Sequence, residues 1–398
     1  MRNGRTFITQ IAIATSQGTS TEEVWDAVVK GRTTFSTLED CEGRQILFGD
    51  LDTERMAVGL TERIKIQTDP ITQAALALSD QLLSGDNSEV LDHRDEIGVQ
   101  LGNNYGGLSF AQRELTNLSE NGPGAVSPYQ SFAWFYSVNT GQISVRHKLK
   151  GPSGTVATEA CSGIDALSLA NYEILSGTDF MITGAIDGTR SPFGIASMYS
   201  GTSTLAPETA AEGFAPYSAE SIGYVPGAGG ALLMLQSERM TPPAQRDIEL
   251  IGAARGFQSG QSGNVLRDVV ERLFTESGVT PFDIGVVYSD AVGVPGVDTR
   301  ERETLVKIFG DKQPPTTAPK TGFGRLFAGA SAVDVALAAL TLRNQWIPPL
   351  AIRLGGQDPD EHLNLVYGEG RPIQKDTALV LSTGTGGYRS AALLRLNG

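Results

Sequence analysis

Short apolar runs alternate with helically spaced stretches along the whole chain, and this alternation narrows the possible folds more than any other feature. Candidate strands are Phe7 to Ala14, Ile97 to Gly102, Thr155 to Thr158, Phe180 to Ile186 and Ala231 to Leu235. Between them, Thr21 to Val29 opens with hydroxyl residues ahead of glutamates, a helix start, and Pro70 to Leu83 carries apolar residues at helical spacing. After the break TPPAQRD (Thr241 to Asp247) the same style resumes. Ile248 to Ala254, Gly285 to Ser289 and Ala378 to Ser382 read as strands, and Val265 to Thr275, Glu301 to Phe309 and Ala332 to Arg343 as helices. Such a pattern predicts βαβ units around a buried sheet. The similar element order of its two parts predicts two fused α/β halves, 1–242 and 243–398, without sequence identity at a fixed period.

Charge and cysteine usage exclude several functions. The chain has 398 residues, with 31 Lys and Arg against 45 Asp and Glu; its net charge of -14 opposes binding to nucleic acid or an anionic membrane through bulk electrostatics. No stretch approaches the roughly 20 apolar residues of a membrane-spanning helix. The N-terminal run MRNGRTFITQIAIATSQG reads as a first strand rather than a cleavable signal. Cys41 and Cys161 are too few and too far apart for a metal cluster or a disulfide framework, so a cytoplasmic protein without metal or cofactor is expected. His93, His147 and His362 are scattered.

The stretch SGTVATEACSGIDALSLA (Ser153 to Ala170) reads as a short strand, a tight turn of small residues and an amphipathic helix. A thiol at such a turn would meet the positive end of the helix dipole, which favours the thiolate. A buried cysteine acting as a small hydrophobe is the alternative for Cys161.

Here the chain resembles the ketosynthases of the thiolase superfamily over nearly its whole length. Beside the turn, SAESIGYVPGAGGALLMLQ (Ser218 to Gln236), APKTGFGRLFAGASAVD (Ala318 to Asp334), WIPPL (Trp346 to Leu350) and STGTGGYRSAALL (Ser382 to Leu394) match the family's ordered motifs. The resemblance implies a thiolase-like fold, two similar halves in an α-β-α-β-α arrangement with mixed sheets. It also implies a cysteine that carries the acyl chain and two histidines that promote decarboxylation and stabilise the oxyanion. In the gap-free register against a Cys-x-x-Gly-Leu-Asp-Ala pattern, Ala160 holds the nucleophile position and Cys161 falls one residue late. A one-residue deletion would instead align Cys161, but a helix turns by about 100° per residue, which would swing the side chain away. The first histidine is replaced by Asp290 in YSDAVGVPGVD (Tyr288 to Asp298), and the second by Arg325 after Lys320. Asp290 and Arg325 are therefore expected either to meet as an ion pair or to reach solvent separately.

Loss of all three groups in an intact frame resembles the chain length factor, or ketosynthase β subunit, of type II polyketide synthases. SFAWFYSVNTGQISVRH (Ser131 to His147), SDAVGVPGVD (Ser289 to Asp298) and PKTGFGRL (Pro319 to Leu326) carry this narrower likeness, although those factors usually have glutamine where Ala160 stands. The resemblance implies a heterodimer with an active ketosynthase α subunit, which would do most of the docking of the acyl carrier protein and its malonyl or polyketide chain. It places Leu108, Ala111, Leu115 and Phe193 along the acyl tunnel, where bulk limits chain growth; the modest size of Ala111 and Leu115 suggests an aromatic product of about octaketide size. A plain amphipathic helix is the alternative for the first three. Phe132, Trp134, Phe135 and Tyr136 suit either a partner interface or the chain's own core, and Arg113 and Glu120 are read as surface residues. Competing functions are an active ketosynthase or acyltransferase using Cys161, and a scaffold that does not shape product length.

Overall fold

The computed structural model describes residues 4–40, 43–84, 90–200, 214–218, 221, 223–260, 263–351 and 362–398; Cys41 lies outside them. Ten strands form the main sheet: β1 (Thr6–Ala14), β2 (Ile97–Gly102), β3 (Ser153–Val156), β4 (Phe180–Asp187), β5 (Gly229–Ser237), β6 (Ile248–Phe257), β7 (Val286–Tyr288), β8 (Thr316–Thr317), β9 (Thr377–Thr383) and β10 (Tyr388–Leu396). Their spatial order is β8-β7-β9-β10-β6-β1-β5-β4-β2-β3. Outward from the centre, β1-β5-β4-β2-β3 and β6-β10-β9-β7-β8 have the same connectivity. Their pairings also agree in sense, two antiparallel ladders followed by two parallel ones on each side. The repeat that the sequence hides is therefore a repeat of topology. β1 and β6 pair only at Thr6–Leu250 and Phe7–Glu249, a narrow seam between the halves.

Eight helices matter here: α1 (Pro70–Leu82), α2 (Leu108–Asn121), α3 (Val138–His147), α4 (Ser162–Ser176), α5 (Pro192–Ser200), α6 (Val265–Ser277), α7 (Pro295–Phe309) and α8 (Ala328–Asn344). α4 and α8 lie between the two halves of the sheet and share one core with residues from both, including Ile8, Leu233, Val286 and Val380. α1 and α3 cover the outer face of the first half, and α6 and α7 that of the second. The result is five layers, α-β-α-β-α, the thiolase-like arrangement. Small residues let α8 fit between two sheets: nearly every side chain from Ala328 to Leu342 is buried.

Several boundaries differ from the periodicity reading, and two of them have a plain local cause. β3 runs Ser153–Val156 instead of Thr155–Thr158, because the chain is already turning at Thr158. α7 starts at Pro295 rather than Glu301, since proline lacks only an N–H that the first helical turn leaves unpaired anyway.

Candidate functional site

The centre of the molecule lies where the starts of α4 and α8 approach each other. Glu159, in the turn before α4, has φ 53, and Phe327, in the corresponding place before α8, has φ 50. A non-glycine residue held there costs on the order of 1–3 kcal/mol, which the surrounding packing must offset. A Cβ on Gly163 would lie 2.4 Å from the Ala332 nitrogen, so the helices can meet only over glycine. Ser331 clips them together: its hydroxyl donates to the Ala160 carbonyl (2.5 Å) and accepts from the Ile164 N–H (3.2 Å).

Five charged side chains of alternating sign cross this centre. Glu159 Oε2 lies 3.3 Å from Arg325 Nη2, and Arg325 Nη1 lies 3.3 Å from Asp290 Oδ2. Lys320 Nζ stands 3.2 Å from Asp290 Oδ1 and 2.5 Å from Asp334 Oδ2. Asp290 and Arg325 do meet, but within a longer network rather than as an isolated pair. All its members except Glu159 are buried. Thr383 completes the shell: its hydroxyl (2.5 Å) and N–H (3.1 Å) donate to Asp290 Oδ2, and its carbonyl accepts from Arg325 Nη2 (3.0 Å). The Thr385 N–H donates to Glu159 Oε2 (3.0 Å).

These partners set the protonation states. Burial pushes the Asp290 carboxyl up, but Arg325, Lys320 and the Thr383 hydroxyl outweigh it and hold Asp290 below the usual carboxylate range. Burial acts against the charges of Arg325 and Lys320, yet the adjacent carboxylates raise both above their ordinary values. Asp334, where burial exceeds the help from Lys320, rises to about 6. Behind them, Glu301 accepts from the backbone N–H of Asp290 and Ala291 and from the Tyr217 hydroxyl. Asp298 accepts from Gly293, and burial followed by repulsion from Glu301 raises it to about 7.

Ala160 is fully buried and presents only a methyl group. The Cys161 thiol donates to the Ser382 carbonyl at 3.4 Å; burial first, then Asp165 and Asp290, push it up to about 12. At neutral pH it is a thiol, contrary to what a helix start alone suggests. No histidine among the described residues takes part in the network. His93 stacks on Phe180 with centroids 5.1 Å apart, and His147 Nε2 lies 2.9 Å from Ser79 Oγ. A cavity of about 900 Å³ reaches the buried residues Arg325 and Thr383.

Leu108, Ala111, Leu115 and Phe193 gather around a second hollow of about 440 Å³, lined by one face of α2 and the start of α5. Glu120, expected merely at the surface, borders it too. Phe132, Trp134, Phe135 and Tyr136 are each between 38% and 47% exposed, so they do not fill the chain's own core. Phe135 joins its neighbours, with its ring centroid 4.4 Å from the tilted Tyr136 ring and 5.5 Å from the edge-on Trp134 ring, while Phe132 meets Tyr129 edge-on at 6.0 Å. The Gly107 N–H donates to the Trp134 carbonyl (3.1 Å), and a Cβ on Gly107 would lie 1.8 Å from the Ala133 oxygen. The start of α2 and the aromatic segment thus touch backbone to backbone.

Residues 5–240 match the family model described as beta-ketoacyl synthase, N-terminal domain, and residues 249–352 that of the C-terminal domain. The chain is 37% identical over 407 residues to the tetracenomycin polyketide synthase ketoacyl synthase beta subunit of Streptomyces glaucescens, covering 98% of each. In structure it is similar to the ishigamide ketosynthase/chain length factor (TM-score 0.86, 18% identity, 99% of this chain and 100% of that one). It is also similar to a ketosynthase in complex with its chain length factor from Xenorhabdus doucetiae (TM-score 0.82, 18% identity, 99% and 98% covered).

Proposed function

The chain belongs to the beta-ketoacyl synthase family, and from that premise we propose that it is the chain length factor of a type II polyketide synthase, without condensing activity of its own. It pairs with an active ketosynthase α subunit, and an acyl carrier protein delivers malonyl or polyketide chains mostly through that partner. The observation that carries this reading is the network from Glu159 to Asp334, which sets paired charges of alternating sign at the two positions where the resemblance expects histidines, beside Ala160 at the expected nucleophile position. A guanidinium or ammonium could stabilise an oxyanion, but Arg325 and Lys320 are already committed to carboxylates. Ala160 has no lone pair to offer, and the Cys161 thiol keeps its proton.

Leu108, Ala111, Leu115 and Phe193 border the acyl tunnel of the assembled complex, and the modest bulk of Ala111 and Leu115 suits an aromatic product of about octaketide size. The test is reconstitution with the ketosynthase and carrier from the same pathway, followed by intact-protein mass measurement of each subunit. The expected result is acyl mass on the partner and none on this chain; an acyl adduct on Cys161 would overturn the reading. Exchanging this subunit against a fixed partner is expected to change product length, and an unchanged product would leave only a scaffold.

A further inference from the structure

The N-terminus of α5 carries Phe193 to the edge of the 440 Å³ hollow, and its backbone donors can be accounted for one at a time. Pro192 has no N–H. The Gly194 N–H donates to the Ser191 hydroxyl (3.1 Å), and the Ile195 N–H donates to the Ser191 carbonyl (2.9 Å). The Phe193 N–H has no acceptor on its own helix and donates instead to Gln112 Oε1 of α2, at 2.9 Å. One turn earlier on α2, the Ser109 hydroxyl lies 3.4 Å from that of Thr189, which in turn lies 2.9 Å from the Ser191 hydroxyl. Ser109 and Gln112, three residues apart on one helix face, therefore fasten α5 to α2.

We infer that Gln112 is a specificity-determining positioning residue, holding Phe193 at a fixed distance from Leu108, Ala111 and Leu115 and so setting how far the hollow extends. This rests on the proposed tunnel role of the hollow. Gln112 also borders the hollow, but its part is to provide the acceptor that an orphan helix N–H requires. The neighbouring backbone leaves little freedom for compensation: a Cβ on Gly194 would lie 2.2 Å from Thr189 Cγ2. Without the Gln112 oxygen, the first turn of α5 must find water, and Phe193 loses its fixed place.

The experiment uses the complete complex with its ketosynthase and carrier, and reads the distribution of product lengths by mass. Gln112→Met keeps length and flexibility but removes the acceptor, whereas Gln112→Glu keeps an acceptor beside the positive end of α5. Gln112→Met is expected to raise the share of off-length products about fivefold, the factor one neutral hydrogen bond supplies, with the melting temperature of the complex held. Gln112→Glu is expected to restore the parental distribution. Ala111→Trp serves as the control for the tunnel itself. If Ala111→Trp shifts product length while Gln112→Met does not, the positioning inference fails and the tunnel reading stands. If neither shifts it, both fail. If Met and Glu shift it equally, the hydrogen bond is not the cause and the inference fails.

Discussion

Asp290 is a fully buried carboxylate that stays ionised because two cations and Thr383 share it. Removing it strands Arg325 and Lys320 as buried charges with one fewer counter-ion each. Asp290→Ala is therefore expected to destabilise the folded chain by about 3–5 kcal/mol, measured from denaturant midpoints. Combining Asp290→Leu with Arg325→Met should cost less than the sum of the single changes, because the second substitution removes the charge that the first left unpaired. Asp298 behaves in the opposite way. Its folded value of about 7 lies above the ordinary 3.8, so the fold favours the protonated form. Its stabilising contribution is complete below about pH 4 and is lost as pH rises through about 7. Asp298→Asn, which keeps an oxygen for the Gly293 N–H, should flatten the fall in melting temperature between those limits. A slope unchanged from the parent would show that Asp298 is not the titrating group. At this scale the sequence names Asp290, Arg325 and Ala160 but not Glu159. A carboxylate beside a row of small residues looks ordinary until its φ of 53 turns it toward Arg325. The available signal was Arg325 itself, since a buried guanidinium needs more acceptors than one carboxylate supplies.

Among the elements, legibility follows amphipathicity. α1 is readable to within one residue because its buried face includes Ile71, Ala74, Ala75, Leu78 and Leu82 at helical spacing. α8 is buried on nearly all sides, so no periodic contrast marks its start, and the small residues Ala328 to Ser331 look like a loop. The periodicity puts β3 two residues late for a related reason: SGTVATEA contains too little apolar contrast to separate strand from turn. α2 shows what an element does once its position is known. Phe110 and Ala111 are buried while Leu115 is 58% exposed, so the helix spans the boundary between the chain's own core and the hollow. Ala111→Trp adds an indole where a methyl now lies, and growth of the acyl chain should stop earlier by one or more extension steps. The check is product mass from the assembled complex. A folded complex giving the parental length would remove α2 from the tunnel.

For the whole molecule, the unusual feature is an aromatic cluster left exposed on a chain of net charge -14. Repulsion between like-charged copies keeps such a protein dispersed and works against self-association through the cluster, so a different surface of complementary shape is expected to cover it. The four rings rest on a backbone fixed by Gly106 and Gly107, at each of which a Cβ would collide with the aromatic segment. They are therefore presented rigidly, which lowers the entropy lost on association. Trp134 and Phe135 are both exposed and meet edge-on, so replacing both with serine removes apolar area from the surface without opening a cavity inside. The variant's own unfolding free energy should stay within about 0.5 kcal/mol of the parent, while its affinity for the ketosynthase α subunit should fall more than about tenfold. Unfolding curves of the isolated chain and titration calorimetry with the partner separate the two quantities. A large loss of stability with unchanged affinity would place these rings in the chain's own fold. The reverse outcome would make the cluster the anchor that seats this chain on its proposed partner, at the segment that touches the start of α2 through the Gly107–Trp134 hydrogen bond.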